Sequence, residues 1–198
     1  MKESNILSKI LHVSSYAKAN FEIFCVLSLA TMNHEKKFAN VLKEHNNFFI
    51  ISKNAHFTAS IIYLWHLFDK DEPKAPSFVR YLNEIKNKIS SDAYELLYIE
   101  YEEIYARAKP LVTIVRHNTV AHFNCEISES DIFKRINKTW IDVRAIFNDS
   151  ARLAENLAKE SGVSIDNVLK PPPDSLLMDD TENLLHALDN HLLHKTKV

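Results

Sequence analysis

One glycine in 198 residues, Gly162, constrains this chain more than any other feature. A dinucleotide-binding fingerprint or a phosphate-cradling loop needs several glycines at fixed spacing, so both are excluded. Hairpin-rich β folds depend on glycine turns and are disfavoured for the same reason. Prolines stand in three places only: Pro73 with Pro76, Pro110, and Pro171 to Pro173. The long spans between them, free of both helix breakers, favour helices. Hydrophobic residues make up 46% of the chain, enough to bury a sizeable core in one domain of ordinary size.

The expected fold is all-α, an up-and-down helical bundle with an additional C-terminal helix. Helical spacing of apolar residues predicts a first helix from about Ser4 to Met32. A second covers His34 to Phe48, with Phe38, Val41, Leu42 and His45 on one side. A third runs from Ile51 to Phe68. Asp69 to Pro76 reads as a loop by charge and proline content. Ser77 suits the cap of a short helix to Ile89, and Ser90, Ser91 or Asp92 that of a helix to Ala108. Tyr94, Tyr98, Tyr101 and Tyr105 fall on one stripe of that helix. A base-stacking platform and an aromatic core both fit; the neighbouring glutamates, which repel phosphate, favour the core. Pro110 suits the first turn of a new helix through Phe123.

Beyond a turn at 124–128, a long helix is expected to Lys159, with Ile132, Ile136, Trp140, Val143, Phe147, Ala151, Ala154 and Ala158 inward. Lys134, Arg135, Lys138 and Arg144 lie mostly off that stripe and make the best local basic patch. Gly162 caps the helix end. The expected division is residues 1–160 as the bundle and 161–198 as a proline-containing spacer with an amphipathic helix at about Asp179 to Leu193. That helix carries Leu184, Leu185, Leu188, Leu192 and Leu193, and would dock on the bundle or on a partner.

Net charge is −2, so a contact with nucleic acid would have to come from a local patch. Cys25 and Cys125 are lone thiols without a CxxC, indicating neither a disulfide framework nor a zinc site. The polar N-terminus and the absence of a long apolar run point to a cytoplasmic protein away from membranes. No glutamate has a histidine three residues on, so the di-metal carboxylate bundle pattern is missing. Nor is there an HExxH or a nucleophile elbow. No metal or cofactor is called for. His186, His191 and His194 stand near one another in sequence, without a cysteine or a set of carboxylates to complete a metal site. His56 and His66 are expected to be ordinary packing residues.

What remains is Arg116-His117-Asn118-Thr119-Val120-Ala121-His122, a polar cluster between apolar runs. On a straight helix Arg116 and His122 lie on neighbouring sides, about 9 Å apart along the axis. Helical side chains lean toward the N-terminus, so Arg116 points away from His122. A shared task therefore asks for a second copy across a two-fold axis, or for a kink near Thr119. Arginine and histidine without metal suit RNA cleavage. His122 could move the proton of a ribose 2′-hydroxyl or of the leaving 5′-oxygen, with Arg116 stabilising the charged phosphate and His117 or Asn118 holding it. The product would be a 2′,3′-cyclic phosphate, and DNA would resist.

The cluster resembles the signature of the HEPN superfamily: Arg, a polar residue, a short gap, then His. Leu64-Trp65-His66-Leu67-Phe68-Asp69, followed by a loop and Ser77-Phe78-Val79, is similar to the abortive-infection (AbiU-type) branch. The resemblance covers roughly Phe21 to Asn156. It implies an all-helical bundle, a homodimer with the motif at its interface, and metal-independent endoribonuclease activity in toxin–antitoxin or phage-defence systems, with an antitoxin protein as a further partner. Arg116, His117 and His122 are the catalytic residues it implies; Asn118, Thr119, Lys134, Arg135 and Lys138 would support them or bind RNA. HEPN toxins silenced by nucleotidylation carry a tyrosine two residues after the histidine. Asn124 stands there, so the resemblance does not extend to that mode of control. The competing expectation is a non-catalytic helical module that binds a nucleotide, RNA or a partner protein.

Overall fold

The computed structural model describes residues 3–32, 38–115, 129–164 and 174–195. The fold is all-α, with no strand among the described residues. Its helices are α1 (Glu3–Met32), α2 (Ala39–Glu44), α3 (Asn46–Phe68), α4 (Phe78–Ile85), α5 (Ser91–Val115), α6 (Glu129–Arg135), α7 (Trp140–Glu160) and α8 (Asp174–Lys195). None of the described helices is long and apolar enough to cross a membrane.

The chain forms two compact units. One comprises Met1–Lys18 with Ser60–Lys170, the other Ala19–Ala59 with Pro171–Val198. The sequence reading sets 161–198 apart; in the structure α8 belongs with residues 19–59.

In the first unit, α5 and α7 are the principal pair. α7 has neither Gly nor Pro, and buries Val143, Ile146, Phe147, Ser150, Leu153, Ala154, Leu157 and Ala158. Steps of three and four keep these positions on one face. Each large apolar side chain buried there contributes about 1.5–3 kcal/mol. The one polar member, Ser150, donates from Oγ to the Ile146 carbonyl at 2.8 Å, so its hydroxyl costs little to bury. α5 buries Leu97, Tyr101, Ile104, Ala108, Leu111 and Val112.

α5 begins after Ser90, whose Oγ accepts from the Ala93 backbone at 3.2 Å. It continues through Pro110, where the sequence suggests a new start. A proline leaves the carbonyl four residues back without its helical donor. Here that residue is Ala106, and both Ala106 and Pro110 are exposed, so water can serve the carbonyl. Ala108, Leu111 and Val112 keep the opposite side buried across the interruption.

The long helix expected over 128–159 is two helices. Ile132, Ile136, Trp140 and Val143 are spaced as if continuous, but the backbone turns between α6 and α7. Asn137 takes a left-handed φ of 50°. Its N–H donates to the Lys134 carbonyl at 3.1 Å, and the Lys138 N–H to the Phe133 carbonyl at 3.0 Å. These are the two bonds of a Schellman helix end. Thr139 then caps α7. Its Oγ1 accepts from the Asp142 N–H at 3.2 Å, while its own N–H donates to Asp142 Oδ2 at 2.7 Å. The reciprocal pair is a capping box. α7 ends in a second Schellman pair, Gly162 N–H to Lys159 and Val163 N–H to Ala158, with Gly162 at φ +66°. Gly162 is thus the helix terminator that its isolation in the sequence suggests.

Asp69 organises the 69–77 loop. Its Oδ1 accepts from the Asp71 and Glu72 backbones at 2.9 and 3.2 Å. Ser77 occupies the N-cap of α4 with an extended backbone but makes no side-chain cap bond.

In the second unit, Val26, Leu27, Phe38, Val41, Phe49 and Leu185 form one buried cluster, with Leu188 and Leu192 packed against it. Leu185, Leu188 and Leu192 share a face of α8, while Leu184, expected with them, is 58% exposed. α3 starts at Asn46 rather than Ile51, and the residue that ends α2, His45, is exposed rather than inward.

Candidate functional site

The cluster Arg116, His117, Asn118, Thr119 and His122 lies outside the described residues, as do Asn124 and Cys125. The structure describes what stands on either side of it in the chain: the end of α5, then α6, the α6–α7 turn and the start of α7.

A polar network fixes the register of α5 on α7. Arg107 Nη2 donates to Asp149 Oδ2 at 2.7 Å, and Arg152 Nη1 pairs with Asp149 Oδ1 at 2.7 Å. Arg152 Nε donates to Glu100 Oε1 at 3.1 Å, and Asn156 Nδ2 to Glu100 Oε2 at 3.0 Å. The hydrogen bond to Glu100 leads the causes that raise the Arg152 pKa. Advancing along α5 from Glu100 to Arg107 moves the partner back along α7, so the helices are antiparallel. α5 thus ends toward the start of α7, which the α6–α7 turn precedes. Arg116 is one peptide bond beyond Val115.

That turn carries the expected basic patch. Lys134 and Arg135 are exposed and Lys138 is half-buried. Their separation from the inward stripe holds, although the stripe is split. At this turn sequence reasoning misplaces Trp140. It is expected in the core, yet it is 39% exposed, and Ile141 beside it is 61% exposed. The signal for this was Thr139-x-x-Asp142, a capping pattern that puts Trp140 in the first turn of a new helix. The Thr139 hydrogen bonds, side chain first, hold the Asp142 carboxyl below its usual range, so it stays charged.

The tyrosine stripe is an aromatic ladder rather than an open platform. Ring centroids are 6.0 Å apart for Tyr94–Tyr98 and Tyr98–Tyr101, and 5.9 Å for Tyr101–Tyr105. Tyr101 is fully buried, and Phe68 stacks on it at 6.0 Å. Lys70 sits over Tyr105 at 4.3 Å and pairs with Glu102 at 3.8 Å. Burial, then the nearby Glu102 carboxylate, pushes the Tyr101 phenol well above its ordinary value. Tyr98 is raised chiefly by its hydrogen bond to Glu102. These contacts cover Tyr101 and put Lys70 over Tyr105, while Tyr98 stays 39% exposed.

The histidines expected to pack do so. His56 Nδ1 meets Asn20 Oδ1 at 2.8 Å, and burial lowers its pKa. The His66 ring lies 4.9 Å from that of Trp65. His186 stands edge-on to Phe38 at 4.7 Å. Among the described residues no group of three or more His, Cys, Asp or Glu side chains is placed to hold a metal ion. A shallow depression of about 490 Å³ at the α2–α3 junction is lined by Lys43, Glu44, His45, Asn46, Asn47 and Phe48. It gathers one histidine and one carboxylate on exposed backbone, with no buried polar group to orient them.

Compared with protein-family models, curated proteins and solved structures, the chain matches none.

Proposed function

We propose that this chain is a metal-independent endoribonuclease that cleaves RNA by 2′-hydroxyl attack and acts as a cytoplasmic toxin in a toxin–antitoxin or phage-defence system. The observation that carries this reading is the seven-residue cluster itself. One arginine, two histidines, an asparagine and a threonine follow directly on a 25-residue helix, within apolar flanks. The resemblance to the HEPN signature and the all-helical fold support it. So does the basic turn at Lys134, Arg135 and Lys138, just before the end of α7 toward which α5 runs.

In this reading His122 transfers the proton at the 2′-oxygen or the leaving 5′-oxygen. Arg116 neutralises the charge that builds on the phosphate, and His117 with Asn118 and Thr119 holds the phosphate in place. A homodimer would set the Arg116 of one protomer against the His122 of its partner.

Incubating the purified protein with total RNA in EDTA tests this directly. Cleavage to 2′,3′-cyclic phosphate ends is expected. His122→Ala should lose roughly a hundredfold or more of the rate, as loss of a general acid or base does. Arg116→Ala should fall comparably, and an all-deoxy substrate should stay intact. Undamaged RNA with the wild-type protein, together with normal growth on expression, sinks the proposal and leaves a non-catalytic helical binding module.

A further inference from the structure

We infer that the α6–α7 turn is a docking surface for single-stranded nucleic acid, with Trp140 stacking on an unpaired base and Lys134, Arg135 and Lys138 meeting the phosphates on either side of it. The inference takes from the ribonuclease reading only that the strand is RNA.

Three observations carry it. The first is the exposure of Trp140, a residue whose helical spacing belongs to a core. No ring contact, hydrogen bond or ion pair engages its indole among the described residues. At 39% exposure part of the indole packs and part meets water, and the open part of its flat face can stack on any base. The second is local charge. From residue 132 to 141 the chain has three cations and no carboxylate, in a protein of net charge −2. Asp142, just beyond, accepts from the Thr139 N–H and Oγ1, each at 2.7 Å, and is tied into the helix cap. Its charge offsets the positive end of the α7 dipole, so phosphate contacts must come from the lysine and arginine side chains. The third is rigidity. The Schellman bonds at Asn137 and Lys138 and the Thr139–Asp142 box satisfy the turn at both helix ends. The aromatic group and its flanking cations are therefore held on ordered backbone, so binding a strand orders little else.

Duplex hides its base faces, and side chains cannot read the deep, narrow groove of A-form RNA. A single strand exposes both of the chemistries presented here.

The test separates binding from cleavage. A fluorescent twelve-nucleotide 2′-O-methyl strand cannot be cut by 2′-oxygen attack, and its anisotropy with the full chain in EDTA reports binding alone. We expect the single strand to bind at least tenfold more tightly than a duplex of the same length. The logarithm of the affinity should fall with the logarithm of salt with a slope near −2, since each phosphate met contributes about −0.7. Trp140→Ala should weaken binding about tenfold, and Lys134→Gln with Lys138→Gln should flatten the slope. In a Trp65→Phe background Trp140 is the only tryptophan, and its emission should be quenched as the strand is added. Absence of quenching, equal affinity for duplex, or unchanged binding by Trp140→Ala overturns the inference and turns attention to a protein partner for the exposed indole. Binding without any RNA cleavage would support this surface and remove the ribonuclease reading alone. Cleavage that persists with Trp140→Ala binding unchanged would do the reverse.

Discussion

Tyr101 is the residue whose environment is most at odds with its chemistry. Its ring is fully buried in the aromatic ladder, and among the described residues its hydroxyl finds no hydrogen-bond partner. A buried hydroxyl without a partner costs about 1–3 kcal/mol relative to one that is satisfied. Burial also penalises its ionised form, as the raised pKa reflects. Phenylalanine keeps the stacking with Phe68, Tyr98 and Tyr105 and removes only the oxygen. Tyr101→Phe should therefore be neutral to stabilising, by up to about 1 kcal/mol, seen as a Tm raised by about 2–4 °C in a chain of this size. A loss of more than about 1 kcal/mol in urea unfolding would show that the hydroxyl is bonded after all. The sequence places Tyr101 on a stripe with Tyr94, Tyr98 and Tyr105, but periodicity cannot say which member goes under. Tyr98 stays 39% exposed three residues away, because Phe68 covers only the C-terminal part of the ladder.

At the scale of the element, the ends of α6 and α7 are built alike, with different residues at the left-handed position. Gly162 has φ +66°, and a Cβ built on it would meet no atom within 4 Å. The cost of a side chain there is therefore conformational rather than steric. Gly162→Ala should destabilise by about 1–2 kcal/mol, the penalty for an L-residue in that region. Asn137→Gly, at φ 50°, should be neutral or slightly stabilising, because asparagine already bears part of the same strain. Chemical denaturation of the two variants checks the pair, and a neutral Gly162→Ala would contradict the assignment of strain. The contrast also explains what was legible. A single glycine after a long helical pattern marks α7's end without ambiguity. Asn137 sits inside an apolar spacing that reads straight through it, so α6 and α7 merge on a helical wheel. Thr139 and Asp142 were the counter-signal, and they decide whether Trp140 is core or surface. The basic residues were placed correctly because a solvated charge avoids the core in either arrangement. Pro110 misleads in the opposite direction: it reads as a start, and α5 runs through it on a side where Ala106 and Pro110 are both exposed.

At the scale of the molecule, the division into two units has no mark in composition. α1 and α3 each give residues to both units, with no break near residue 18 or 59. α8 joins helices more than a hundred residues earlier in the chain, and a pairing that distant leaves no local pattern. Its worth can still be measured. Leu185 is 1% exposed, in the cluster with Val26, Leu27, Phe38, Val41 and Phe49. Leu185→Ala should cost about 2–5 kcal/mol, the range for a buried leucine whose cavity does not collapse. If each unit has its own cooperative core, the loss should be local. Amides of α2 and of α3 up to Ala59 should exchange faster in hydrogen exchange, while those of α5 and α7 keep their protection. Phe147→Ala, at 1% exposure on α7, should give the reverse pattern. Equal acceleration of all helices in both variants would mean that one cooperative core spans the chain. The outcome also bears on the C-terminal segment. Local loss at α2 and α3 would make α8 an integral layer of its unit rather than an arm for a partner, because its buried leucines would already be stabilising the fold they belong to.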